Sequence, residues 1–256
     1  MGATIADRHT DPNLLMIVFP CVATHDFVVK EFFPMGKKPI YSLPLLILLS
    51  INVSGCSTSR NYTPPLDIRE SATVILRDPF EAAWTQSVRA IGESFFVMNN
   101  VIKDSKVINL SYSGDPEKYV NCGHLAIDVK EGIGTTSYQF PAARKSVQFP
   151  LARGFRTSVV DRQMYLEARI NILFEELDKN ETGVKVVVQY MVTRTGTETV
   201  TDRINNRTLA IPLPPLTFSF NTGGTDSGTS KTNLTCRATG EMEKALIDLL
   251  VSSYTQ

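Results

Sequence analysis

An α+β fold is predicted for this chain, an antiparallel sheet with an N-terminal helix and a C-terminal helix packed on one face. Three observations predict it. Phe80, Trp84, Val88, Ile91 and Phe95 recur at spacings of four, four, three and four, the period of one helical face. Residues 164–177 and 184–193 are rich in β-branched and apolar side chains, and the second run alternates with the period of two of a strand. Residues 240–253 return to the helical period, with Met242, Leu246, Leu249, Leu250 and Ser253 on the inward side. Antiparallel strands framed by two helices belong to a layered α+β domain.

The chain has 256 residues, and its first distinctive stretch is residues 35–57, MGKKPIYSLPLLILLSINVSGCS. Lys37 and Lys38 give a basic start, residues 40–51 are mostly apolar, and Val53-Ser54-Gly55-Cys56 follows. Pro39, Ser42, Pro44, Ser50 and Asn52 interrupt the run, which falls short of the ~20 predominantly apolar residues of a spanning helix. It resembles a bacterial lipoprotein signal with its lipobox. That resemblance implies cleavage before Cys56 and a diacylglycerol on its sulfur; an ordinary signal or anchor and a buried helix are the other readings. Ser57 stands where aspartate would favour the inner membrane, which implies the periplasmic face of the outer membrane.

Such signals stand at an N-terminus, so Met35 is the expected start and residues 1–34 an upstream extension outside the working protein. A cytoplasmic tail ahead of an uncleaved anchor is the alternative. The expected organisation is thus an extension at 1–34, a signal peptide at 35–55, a lipidated tether at 56–71 and a single α+β domain at 72–256.

Lysines and arginines number 26, as do aspartates and glutamates, and four of each precede Cys56, so the remainder is also neutral. Nothing in that balance favours nucleic acid or an anionic membrane surface as a partner. Of the four cysteines, Cys21 falls in the extension and Cys56 is assigned to lipid. Cys122 and Cys236 remain as a pair in an oxidising compartment, where a disulfide is expected. Two separate buried thiols, or a reactive thiolate at Cys236 near a helix N-terminus, are the alternatives.

Residues 57–71 are polar and stiffened by Pro64 and Pro65, the composition of a tether. Residues 72–76, ATVIL, read as a first strand. Asp78, Pro79 and Glu81 then occupy the N-cap, first-turn and capping-box positions of a helix start. Trp84, the single tryptophan, is expected in the core more than against a ligand. Residues 97–102 and 106–112 flank Lys103-Asp104-Ser105 as a hairpin. Residues 113–123, SGDPEKYVNCG, are either a docking loop or a connection pinned by Cys122. A short strand is expected at 124–129. A long, weakly periodic excursion follows at 130–164, with Arg144, Lys145, Arg153 and Arg156 and one strand near 146–149. After the two long strands, residues 197–202 read as a polar edge strand. Leu216, Phe218 and Phe220 alternate within 209–220, and 221–233 is a loop. Thr239 is placed to cap the final helix, with Glu241 and Glu243 at the positive end of its dipole.

Catalytic chemistry is sparse. His124 is the only histidine after Cys56, and no Gly-x-Ser-x-Gly elbow supports a serine triad through it. Cys122-x-His124 alone is too little for zinc. The 221–233 segment lacks the pattern of a phosphate-binding loop, and Glu175, Glu176 and Asp178 read as a solvated strand end more than as paired catalytic carboxylates. No catalytic residue, metal or cofactor is predicted. The expected site residues are Cys56 for lipid and Cys122 with Cys236 for a disulfide.

The lipobox and the element order together are similar to the helix-grip lipoprotein of the outer-membrane β-barrel assembly machinery. That resemblance implies a helix-grip-like arrangement and a non-enzymatic, lipid-anchored accessory or scaffold component of an envelope assembly. Its partners would be the membrane, through the lipid on Cys56, and envelope proteins bound through a sheet edge or loops. The alternative is an envelope lipoprotein that holds an apolar small molecule or lipid in a cavity capped by the final helix. An envelope hydrolase is third.

Overall fold

The computed structural model describes residues 56–66, 72–131, 134–154, 156–202, 204–227 and 234–253. The expected extension and signal peptide therefore lie outside the described residues, and Cys56 is the first residue inside them. No helix among the described residues is long and apolar enough to cross a membrane.

The stretch that composition marks as a tether contains strand β1 (Ser57–Thr63), and β2 (Thr73–Leu76) follows. Helix α1 (Phe80–Gly92) starts after Pro79 without a side-chain cap and buries Phe80, Ala83, Trp84, Ser87 and Ile91. It ends at Gly92, so Phe95 is left exposed while Phe96 turns into the core. The hairpin of β3 (Val97–Ile102) and β4 (Val107–Gly114) follows, and β5 (Val120–Asn121) precedes Cys122. Next come β6 (His124–Glu131), β7 (Gly134–Pro141), β8 (Ser146–Arg153) and β9 (Arg156–Asp178). The chain continues through β10 (Glu181–Asp202), β11 (Arg207–Pro212), β12 (Leu216–Asn221), β13 (Thr225–Asp226) and β14 (Cys236–Ala238). Helix α2 (Glu241–Ser252) closes it, entered through Gly240 at φ 82, a left-handed backbone that suits glycine. Thr239 Oγ1 accepts the Glu241 N–H at 3.3 Å.

The β9–β10 hairpin is the spine of the fold. Its strands have 23 and 22 residues, a length of about 75 Å at ~3.3 Å per residue. They pair antiparallel from Arg156↔Asp202 to Glu181↔Asp178. Short strands tile both outer edges. β8 and then β4 lie along β9, with β3 outside β4; β2, β12 and β11 lie in succession along β10. From Ser158 to Phe174 the even positions of β9 are buried almost without exception, and the odd positions face outward.

Two covers complete the core. Toward the hairpin turn, α1 and α2 lie on the buried face; the Trp84 ring meets Phe174 edge-on at 5.3 Å, and Met242, Leu246 and Leu250 are fully buried. Toward the other end, the same face is covered by the separate sheet β1-β6-β7, which buries Leu125, Ile127 and Val129. A small sheet β13-β14-β5 carries Cys122 and Cys236, whose sulfurs lie 2.00 Å apart with Cα atoms 4.0 Å apart.

Strands hold 62% of the described residues and helices 14%, so the fold is mostly sheet, and the expected α+β, helix-grip-like arrangement is overturned. The physical reason lies in residues 130–164. They contain β7, β8 and the start of β9, but four residues of β7, Gly134 to Ser137, are exposed and polar, so no apolar alternation marks the strand. Residues 197–202 are likewise not a separate edge strand. They are the far end of β10, paired with β9 on one side and β11 on the other.

Candidate functional site

The alternation that builds the spine also selects the site. Carried backward from Phe174, Ile172 and Ile170, the even phase of β9 turns Arg162 toward the core; carried forward from Val188, Tyr190 and Val192, that of β10 does the same for Arg194. Both arginines sit in the half of the spine covered by the β1-β6-β7 sheet. The two layers enclose a cavity of about 440 Å³, within the usual size of small-molecule sites. Leu125, Ile127, Phe149, Leu151 and Val160 form its apolar walls, and Arg60, Arg153, Arg162, Arg194 and Glu198 supply its charge.

Arg162 is the centre of this group. It is 4% exposed, its Cζ lies 5.2 Å from the Phe140 ring centre, and its Nε and Nη2 are buried without a hydrogen-bond partner among the described residues. Burial, and then the charges of Arg194 and Arg60, pull its guanidinium below its ordinary value, down to about 10. Arg194 is shifted downward too, by burial first and by Arg60 second. The one carboxylate at the cavity, Glu198, accepts a hydrogen bond from Ser158 Oγ at 2.6 Å. No ion pair among the described residues involves any of the four arginines. The cation–π contact at Phe140 offsets only part of the penalty of burying a charge.

Such an arrangement is unfavourable while empty and favourable around an anion. Guanidinium N–H groups form a planar fork that matches a carboxylate or phosphate, and two donors of Arg162 stand unused.

The cysteines that sequence singles out do not line this cavity. Cys56 is buried, its carbonyl accepts the Gly154 N–H at 3.3 Å, and its sulfur is in a disulfide. Of the four cysteines, Cys21 lies outside the described residues. His124 is exposed at the start of β6. Glu176 pairs with Lys106 at 2.9 Å on the surface, and no group of three or more His, Cys, Asp or Glu stands where it could hold a metal among the described residues. Arg60, Arg162 and Arg194 escape a reading by motif because they share no spacing in sequence. The signal that finds Arg162 and Arg194 is the strand phase, extended two residues past Met164 on β9 and two past Val192 on β10, while Arg60 stands on β1, outside that phase.

Compared with family models, with curated proteins and with solved structures, the chain matches none.

Proposed function

We propose that this chain is a lipid-anchored envelope protein at the periplasmic face of the outer membrane, whose domain binds an anionic small molecule in the arginine-lined cavity. The anchor rests on Val53-Ser54-Gly55-Cys56 and the basic and apolar stretch before it. The binding role rests on the Arg162 guanidinium, buried with two unused donors beside two further cationic side chains. It departs from the ligand-binding alternative of the sequence, an apolar small molecule or lipid under the final helix, in both the ligand and the cover, which here is a sheet. Arginines hold anions without exchanging protons near neutral pH, which supports a binding role.

Calorimetric titration with octanoate and with inorganic phosphate tests it. At least one binds the wild type, and Arg162→Met removes that binding; a wild type that binds neither overturns the reading. The anchor has its own test. A thioether to lipid and a disulfide cannot share the Cys56 sulfur, so the intact mass of protein extracted from native membranes reads which one is present. A diacylated N-terminal Cys56 supports the anchor, and recovery of residues 1–34 in that protein sinks it.

A second reading, an accessory or scaffold part of an envelope assembly, is favoured by β3. All six of its residues are exposed, Val97, Met98, Val101 and Ile102 among them. Its outer edge pairs with no strand among the described residues. An extended segment of a partner protein can add to such an edge. Pull-down from membranes with wild type and with Val101→Lys/Ile102→Lys checks this: a stoichiometric partner is lost from the variant, and equal recovery removes the reading.

A further inference from the structure

We infer that the ligand of the arginine-lined cavity is an anionic lipid with a long acyl chain, its head at Arg162 and its chain along the inner face of the β10–β11 hairpin. The inference rests on the anion-binding reading above and adds the rest of the molecule to the head. A second groove, of about 1110 Å³, runs on from the first, and Arg153 and Glu198 line both. Register places its apolar part on the same face as Arg162. Glu198 stands opposite Ile211 and Val200 opposite Leu209, and the even positions of β10 are those that face the cavity.

This strip is apolar and uncovered. Leu209 is 63% exposed and Ile211 41%, while Ile204 at the hairpin tip is 73% exposed. Three neighbouring apolar side chains in water on one arm of a sheet mark a surface that something apolar covers. A protein partner would meet, beside that strip, four arginines that make no ion pair among the described residues. An anionic amphiphile satisfies both parts at once, its head entering the N–H forks of Arg162 and Arg194 and its methylenes lying on Val200, Leu209 and Ile211. Carboxylate and phosphate heads share this chemistry.

The test is the dependence of affinity on chain length, below the micelle concentration, for hexanoate through palmitate and for glycerol phosphate against lysophosphatidate. Affinity is expected to rise about fourfold per methylene buried until the strip is covered. The head group that binds more tightly at equal chain length identifies carboxylate or phosphate as the source. Leu209→Asp/Ile211→Asp, on an exposed strand, lowers long-chain affinity at least tenfold more than it lowers hexanoate affinity, since the added charge acts on both anions alike. Arg162→Met and Arg194→Met each weaken every member of the series. If octanoate or phosphate binds through Arg162 but palmitate gains nothing over hexanoate, or the Leu209→Asp/Ile211→Asp variant binds palmitate like the wild type, the lipid assignment is overturned and the anion site stands. If no member of either series binds, both fall.

Discussion

Arg162 faces Gly196 directly across the β9–β10 ladder. A Cβ on Gly196 would come within 2.4 Å of the Asp161 carbonyl oxygen and 3.2 Å of the Arg162 Cα. The backbones approach closely there, with no side chain at Gly196 to intervene. Gly196→Ala is expected to destabilise the fold by about 1–3 kcal/mol and to weaken anion binding through displacement of Arg162. Urea midpoint and calorimetric titration on the same sample check both effects.

Removing the charge of Arg162 acts in the opposite direction on stability. Its guanidinium, held at about 10, below the ordinary arginine value, represents about 3 kcal/mol of penalty on the charged folded state. Arg162→Met keeps apolar bulk against Phe140, so the empty variant is expected to be more stable than the wild type near neutral pH. The sign of the pH dependence follows. Above about 10 the unfolded chain still holds the proton that folded Arg162 releases, so the penalty is full below about 10 and is relieved as pH rises beyond it. The stability advantage of Arg162→Met therefore narrows as pH rises above about 10, which paired urea melts measure.

Tyr190 and Glu243 join α2 to the spine. The Tyr190 hydroxyl donates to Glu243 Oε2 at 2.6 Å, and Thr222 Oγ1 donates to Oε1 at 2.8 Å, with Glu243 3% exposed. Tyr190→Phe leaves one buried carboxylate oxygen short of a donor and is expected to lose about 1–3 kcal/mol. Burial and the adjacent Glu243 push the Tyr190 hydroxyl far above its ordinary 10.0. The folded state thus keeps a proton that the unfolded chain gives up, and this contribution is lost as pH rises above about 10. Above that pH the wild type declines more steeply than Tyr190→Phe, as chemical denaturation at several alkaline values shows.

The Cys122–Cys236 bridge closes a sequence separation of 114 residues. In the chain-entropy model its removal by Cys122→Ala/Cys236→Ala loses about 5 kcal/mol. Arg237↔Asn121 and Ala238↔Val120 pair beside the bridge, and α2 begins three residues further on. Hydrogen exchange in the variant is therefore expected to rise first at β14 and the first turn of α2.

Much of the fold was legible where one face is apolar. Phe80, Trp84 and Ile91 announced α1, Ile108 and Leu110 gave the buried side of β4, and Val184 to Val192 gave the half of β10 next to the hairpin turn. What escaped reading had polar side chains on both faces. β1, with Thr58 and Tyr62 only partly buried, looks like a tether because its strand identity comes from pairing with β6, a partner more than sixty residues away. The Thr193 to Asp202 end of β10 is half-exposed throughout for the same reason. The cavity was illegible because a buried Arg162 contradicts the rule by which buried positions are recognised. A strand read only as far as Met164 stops two residues before it.

The spine also dictates an order of events during synthesis. Strands β2, β4 and β8 precede β9 in the chain, yet each has its main partner in β9 or β10. Val74 waits for Val184, more than a hundred residues later. A chain that emerges from its N-terminus therefore presents the first half of the domain with unpaired edges until residue 202 has followed. Contacts of such long sequence separation fold slowly, and unpaired strands are prone to wrong association. In this interval a holding chaperone has most to bind, and the short β9–β10 turn, residues 179–180, is the point from which pairing of the spine can run outward.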